Sequence, residues 1–187
     1  MSRLSRGIII TIAIVAILAA ISVIFFLKPP ARPQAAIAGS GRMKIQSPQF
    51  DQNAPIPAIF TCDGDNISPP LAISGVPEEA KSLALIVDDP DAPAGTWVHW
   101  TVWNIPPQTP LIEAGNAPAG SVQGVTSSGR AGYGGPCPPS GTHHYFFKLY
   151  ALDAVLDLSA KAKAAELEAK MVPHVLDKAG LIGVYGR

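Results

Sequence analysis

The chain has 187 residues, 48% hydrophobic and 15% charged, with 19 prolines and 17 glycines. This excludes a disordered chain and leaves room for one domain with a sizeable core plus an appendage. Six of the 14 basic residues (Arg3, Arg6, Lys28, Arg32, Arg42, Lys44) and no acidic ones precede Ile45, so the remainder carries 8 basic against 14 acidic groups, a formal −6; an acidic domain without a basic stripe argues against nucleic acid as a partner.

The first element in the chain is also the most pronounced. Ile8 to Leu27 is a run of 20 uncharged residues in which only Thr11 and Ser22 are polar. As a helix it would span roughly 30 Å, the hydrocarbon thickness of a bilayer. Arg3 and Arg6 stand before it, and Lys28-Pro29-Pro30 ends it. Residues 1–28 are therefore expected to form a single-pass membrane anchor. A signal peptide is the rival, but the run exceeds a usual apolar core and the nearest small-x-small site, Ala36-Ile37-Ala38, lies far downstream. The basic N-terminus favours an extracytoplasmic domain, secreted instead if the segment is cleaved. Residues 29–42, rich in Pro, Ala and Gly, read as a linker, and 43–187 as the domain.

Within the domain, short apolar runs alternate with turn residues. Leu83 to Val87, Val98 to Ile105, Tyr145 to Leu152 and Leu181 to Tyr185 read as strands, the second stopped by Pro106-Pro107. Ala160 to Met171 is the one strongly helical stretch, with Ser159 placed as N-cap and Pro173 as terminator. The expected class is mainly β, a sandwich-like domain with a late helix. Cys62 and Cys137 permit one disulfide in an oxidising compartment; the count alone does not say that they meet.

Three of the four histidines and all three tryptophans fall in two segments, Asp88 to Asn104 and Gly129 to Tyr150. In the first, the turn Asp88-Asp89-Pro90-Asp91-Ala92-Pro93 is stiffened by its prolines. Strand alternation then puts Trp97, His99, Thr101 and Trp103 on one side and Val98, Trp100 and Val102 on the other. In the second, a glycine-rich loop leads through Cys137-Pro138-Pro139-Ser140-Gly141 into a strand with His143, Tyr145 and Phe147 on one face and His144 and Phe146 on the other. Taken singly, each of these residues reads as structural: Asp-Pro-Asp as a turn, a strand histidine as a hydrogen-bonded one, Trp100 and Phe146-Phe147 as packing. Their joint placement at strand ends beside long loops points to a site.

The string Asp89-Pro90-Asp91-Ala92-Pro93, followed by Trp97-Val98-His99, and then Gly134-Gly135-Pro136-Cys137-Pro138-Pro139-Ser140-Gly141-Thr142-His143-His144-Tyr145, resembles the phosphatidylethanolamine-binding protein family, in its prokaryotic Raf-kinase-inhibitor-like branch. The likeness runs from about Met43 to Tyr185 and includes Phe60-Thr61-Cys62-Asp63-Gly64 and Ser68-Pro69-Pro70-Leu71. It departs from the pattern at Ile73, where relatives commonly have Trp, and at Val172-Pro173, where a Lys-Gly-like pair is usual. The resemblance implies antiparallel sheets packed face to face with a C-terminal helix. It also implies one anion-accepting pocket built from Asp89, Asp91, Trp97, His99, Pro139, His143 and Tyr145, with Cys137 and Gly141 shaping its loop and Cys62 as the disulfide partner of Cys137.

Such a pocket is expected to hold a small anion or phospholipid head group without catalysing a reaction and without a cofactor. A carboxylate beside an imidazole favours imidazolium, so Asp89 and Asp91 are expected to hold His99 or His143 protonated, with Tyr145 and loop N–H groups as further donors. A zinc site built from the same Asp and His residues lacks tight ligand spacing. Two alternatives remain: an inhibitor of an extracytoplasmic protease or other protein, and a phosphoester hydrolase using Asp, His and Tyr.

Overall fold

The structure is a computed structural model that describes residues 42–187. The expected anchor at 8–27 and almost all of the linker lie outside the described residues, and no helix among those described is long and apolar enough to cross a membrane. Among the described residues nine strands make two sheets: β1 (Lys44–Gln46), β2 (Ala54–Pro55), β3 (Leu71–Ser74), β4 (Ser82–Asp89), β5 (Trp97–Ile105), β6 (Leu111–Ile112), β7 (Val122–Gln123), β8 (Thr142–Leu152) and β9 (Val175–Gly186). The smaller sheet is ordered β1-β3-β6, the larger β2-β9-β8-β4-β5-β7. The strands pair antiparallel, as the resemblance implies, apart from the two-residue edge strand β2, which runs parallel to β9.

β4 explains the layering. All eight of its residues are buried, which is why Leu83 to Val87 reads as a continuous apolar run rather than an alternation. Leu83, Leu85 and Val87 face the main core with Phe147, Leu149 and Trp100, beneath Ile45, Leu71 and Ile73 of the small sheet. Ala84 and Ile86 face the other way, onto a second cluster with Trp103, Leu156, Leu167 and Met171. That second face is covered by α1 (Ala164–Met171), which buries Leu167 and Met171. Each large side chain so buried stabilises the fold by about 2 kcal/mol.

Three sequence expectations are corrected. The helix begins at Ala164, not Ala160, because Ser159 closes a local turn to Lys161 and Ala162 while Lys163 N–H donates to Glu166 (2.9 Å). Pro173 does end it, inside a 3-10 turn over Val172–His174. β9 begins at Val175 rather than Leu181, since the polar Asp177-Lys178 pair hides six strand residues from an apolar reading. The alternation along β5 is broken twice, between the pairs Val87↔Trp100 and Asp88↔Val98, and again near Leu83. The first irregularity leaves His99 without an opposite residue, so His99 and Trp100 both face the main-core side, whereas Thr101 and Trp103 face α1. At the second, Asn104 adopts φ +56° and pins the Leu156 backbone through both ends of its amide (2.9 and 2.8 Å).

Candidate functional site

Asp89 is the last residue of β4, and its carboxylate is fully engaged. Oδ1 accepts the Asp91 N–H (2.8 Å), the closure that Asp-Pro-Asp turns make, and Oδ2 accepts His143 Nδ1–H (2.7 Å). Asp89 and His143 are both buried, at 3% and 7% exposure. The bulge residue His99 donates Nδ1–H to the Gly134 carbonyl (2.6 Å), and its own carbonyl accepts the Gly134 N–H (2.9 Å). One glycine thereby fixes both the backbone and the ring of His99. Tyr145 stands edge-on to the His99 ring at 5.2 Å between centroids, and its buried hydroxyl has no hydrogen-bond partner.

These side chains close the polar end of a cavity of about 440 Å³. Ala92, Pro93, Ala94 and Trp97 form one wall, with Trp97 40% exposed at the rim. Gly134, Gly135, Pro138, Pro139, Asn66 and the cystine form the other. Cys62 and Cys137 are bonded, with Cα atoms 5.5 Å apart, and tie the loop after Phe60 to the loop before β8. A second groove, about 320 Å³ between β1 and β9, gathers no histidine or tyrosine.

Of the residues expected in the site, Asp89, Trp97, His99, Cys137, Pro139 and Tyr145 line the cavity. His143 stands behind Asp89 and acts on the cavity through it. Asp91 and Gly141 are not in the wall. Asp91 instead accepts from His144, through its N–H (2.9 Å) and its Nδ1–H (2.7 Å), at the outer surface. Gly141, at φ +74°, exchanges paired backbone hydrogen bonds with Arg187 (3.0 and 3.1 Å) that close the β8–β9 end. Sequence reasoning missed Asn66, whose Oδ1 accepts the Gly135 N–H (2.7 Å). The run Asp63-Gly64-Asp65-Asn66 reads as a turn, but nothing local to it says which loop it will meet.

The electrostatics also differ from expectation. Burial holds His99 below the usual imidazole range, outweighing the Gly134 carbonyl and the Asp89 charge that favour protonation. His99 is therefore neutral near pH 7, so the expectation of an imidazolium at His99 or His143 fails for His99. Burial, then the charges of Asp89 and Asp91, push Tyr145 far up, so its hydroxyl keeps its proton. At Asp91, burial is opposed and outweighed by the hydrogen bonds from His144, which hold the carboxyl low. Two loop N–H groups beside the cavity are occupied: Gly134 N–H serves the His99 carbonyl and Gly135 N–H serves Asn66. Thr126 and Ser128 share a hydrogen bond (2.9 Å), and Thr126 also donates to the Arg130 carbonyl, so both hydroxyls are committed to a turn. Among the described residues no cluster of three or more His, Cys, Asp or Glu side chains is arranged to hold a metal ion.

Comparison with known proteins matches the sequence model described as phosphatidylethanolamine-binding protein over residues 46–186. A UPF0098 protein of Methanothermobacter thermautotrophicus is 55% identical over 150 residues, covering 78% of this chain and 99% of that one. A UPF0098 protein of Pyrococcus horikoshii is 47% identical over 158 residues, 80% of each chain. Among solved structures, a phosphatidylethanolamine-binding protein homologue from Chlamydia trachomatis superposes with a TM-score of 0.76 at 41% identity, covering 79% of this chain and 99% of that one. E. coli YbcL, described as a new member of the mammalian PEBP family, gives 0.73 at 34% identity, covering 78% and 98%.

Proposed function

The chain belongs to the phosphatidylethanolamine-binding protein family, and from that premise we propose that its domain binds a small phosphorylated head group, phosphate- or phosphoethanolamine-like, in the cavity closed by Asp89, His99 and Tyr145. The observation that carries this reading is the Tyr145 hydroxyl. It is buried, keeps its proton and lacks a partner; Asp88 Oδ1, Thr101 Oγ1 and Trp103 Nε1 are also buried without one, but of the four residues Tyr145 is the one that lines the cavity. A phosphoryl oxygen is the acceptor it lacks.

Asp89 does not repel such a ligand as a bare carboxylate would. Both of its oxygens already accept hydrogen bonds, and its remaining charge complements an ammonium group. Trp97 and the prolines supply an apolar wall for the carbons of a head group. We read the site as a binding module rather than an enzyme, a reading supported by the Thr126 and Ser128 hydroxyls being hydrogen-bonded to each other and to the Arg130 carbonyl.

Neutral His99 accepts through Nε2 once Nδ1–H is given to Gly134; on protonation Nε2 becomes a second donor. Because burial lowers its pKa, that gain comes below the ordinary imidazole range. Calorimetric titration with inorganic phosphate and with phosphoethanolamine is expected to show affinity rising as the pH falls through and below about 6.5. Replacing His99 with Gln should flatten the profile. Failure of either ligand to bind at any pH sinks the proposal; a flat wild-type profile removes the role given to His99.

A further inference from the structure

Six large hydrophobic side chains are exposed among the described residues, and four of them share one end of the molecule: Val155 (65%), Val172 (68%), Val175 (36%) and Leu176 (41%). Val172 closes α1, Val175 and Leu176 open β9, and Val155 follows β8. The segments are held together at Asp153, whose N–H donates to the His174 carbonyl (3.0 Å) and whose carboxylate accepts from His174 Nδ1 (2.8 Å). Leu176 is the unpaired residue of a bulge, since Leu152 pairs with Val175 and Ala151 with Asp177.

This end lies opposite the cavity. His143, behind the cavity's Asp89, pairs with Tyr185, while Ala151 pairs with Asp177 eight residues along β8, about 26 Å away at strand rise. The chain also joins the domain at this remote end: the Met43 N–H approaches Asp177 Oδ2 (3.4 Å). The 41 residues that precede Arg42 include the 20-residue uncharged run and a Pro/Ala/Gly-rich connection.

We infer that Val155, Val172, Val175 and Leu176 form a surface that rests on a lipid bilayer, with the head-group cavity turned toward the aqueous side. The inference rests on reading residues 8–27 as a membrane anchor. What favours a bilayer over a protein partner is that the chain which carries that segment enters the described domain at Met43, beside Asp177, at the same end as the apolar patch. One consequence concerns the cavity: its ligand arrives from solution or from a facing surface, not from the lipids under the patch.

The full chain in vesicles of phosphatidylcholine with a minority of phosphatidylglycerol is compared by hydrogen exchange with the full chain carrying Val172→Asp and Leu176→Asp in the same vesicles. Residues 153–156 and 172–176 should exchange several-fold more slowly in the wild type, with residues 92–98 and 134–140 unchanged and the β4 and β8 amides equally protected in both. Val172→Ser with Leu176→Ser, a milder change, serves as the comparison if the acidic pair loosens β4 or β8. Equal exchange at the patch, or slowing at 92–98 instead, overturns the inference. So does protection that fades when more lipid dilutes the protein, since the occupant is then a second copy of the chain. None of these readings depends on whether the cavity binds phosphate.

Discussion

His99 shows how one residue's role turns on its surroundings. The sequence places it beside acidic residues and so points to an imidazolium, yet its burial outweighs both those charges and the carbonyl its ring is bonded to, and keeps it neutral. The nearby carboxylates were legible as Asp-Pro-Asp; the depth of burial was not, because it depends on tertiary packing, including a loop whose Gly134, 35 residues away, holds the ring. The linkage sign follows from the lowered pKa. Above about 6.5 the ring is neutral in both folded and unfolded chains and contributes no pH dependence; below that, the unfolded chain takes up a proton that the native state resists, and stability falls until the folded pKa is passed. Melting temperatures measured from about pH 8 to about pH 5 should therefore fall less steeply in His99→Gln than in the wild type. Identical slopes would show that the ring is not held neutral.

At the scale of elements, legibility followed length and composition. β4, β5 and β8 announced themselves because long apolar or aromatic runs leave few other solutions, while β1, β2, β6 and β7, of two or three residues each, carry no periodicity to read. The bulge at His99 was hidden for another reason: the extra residue is specified by how β5 meets β4 and the Gly134 loop, not by a local motif. The disulfide lies between these cases. Two cysteines permitted it, the family likeness paired them, and the fold brings their loops together across 75 residues as opposite parts of one cavity wall. A link across a loop of that length restricts the unfolded chain by about 4 kcal/mol. Replacing Cys62 and Cys137 with Ser should lower unfolding stability by about that amount in denaturant titration and weaken phosphate binding as the loops separate. A loss below about 1 kcal/mol would mean that the loops are held by Asn66, Tyr133 and their other hydrogen bonds alone.

For the whole molecule, the two ends of one central sheet are built differently. The main core sets Asp89, His99, His143 and Tyr145 at one end of β4, β5 and β8, and α1 with its neighbouring turn leaves the apolar patch at the other. The family was readable, since the likeness read from about Met43 to Tyr185 is met by a family match over 46–186. How the two ends are disposed was not, because that depends on strand direction and register. The most direct test of the head-group reading is Tyr145→Phe, measured for melting temperature without ligand and for phosphoethanolamine affinity by calorimetry. Removing a buried hydroxyl that has no partner should leave the free protein as stable or more stable, while costing about tenfold or more in affinity through the lost hydrogen bond to a charged oxygen. Unchanged affinity in a variant that folds normally would contradict the assignment of Tyr145 as the ligand's donor.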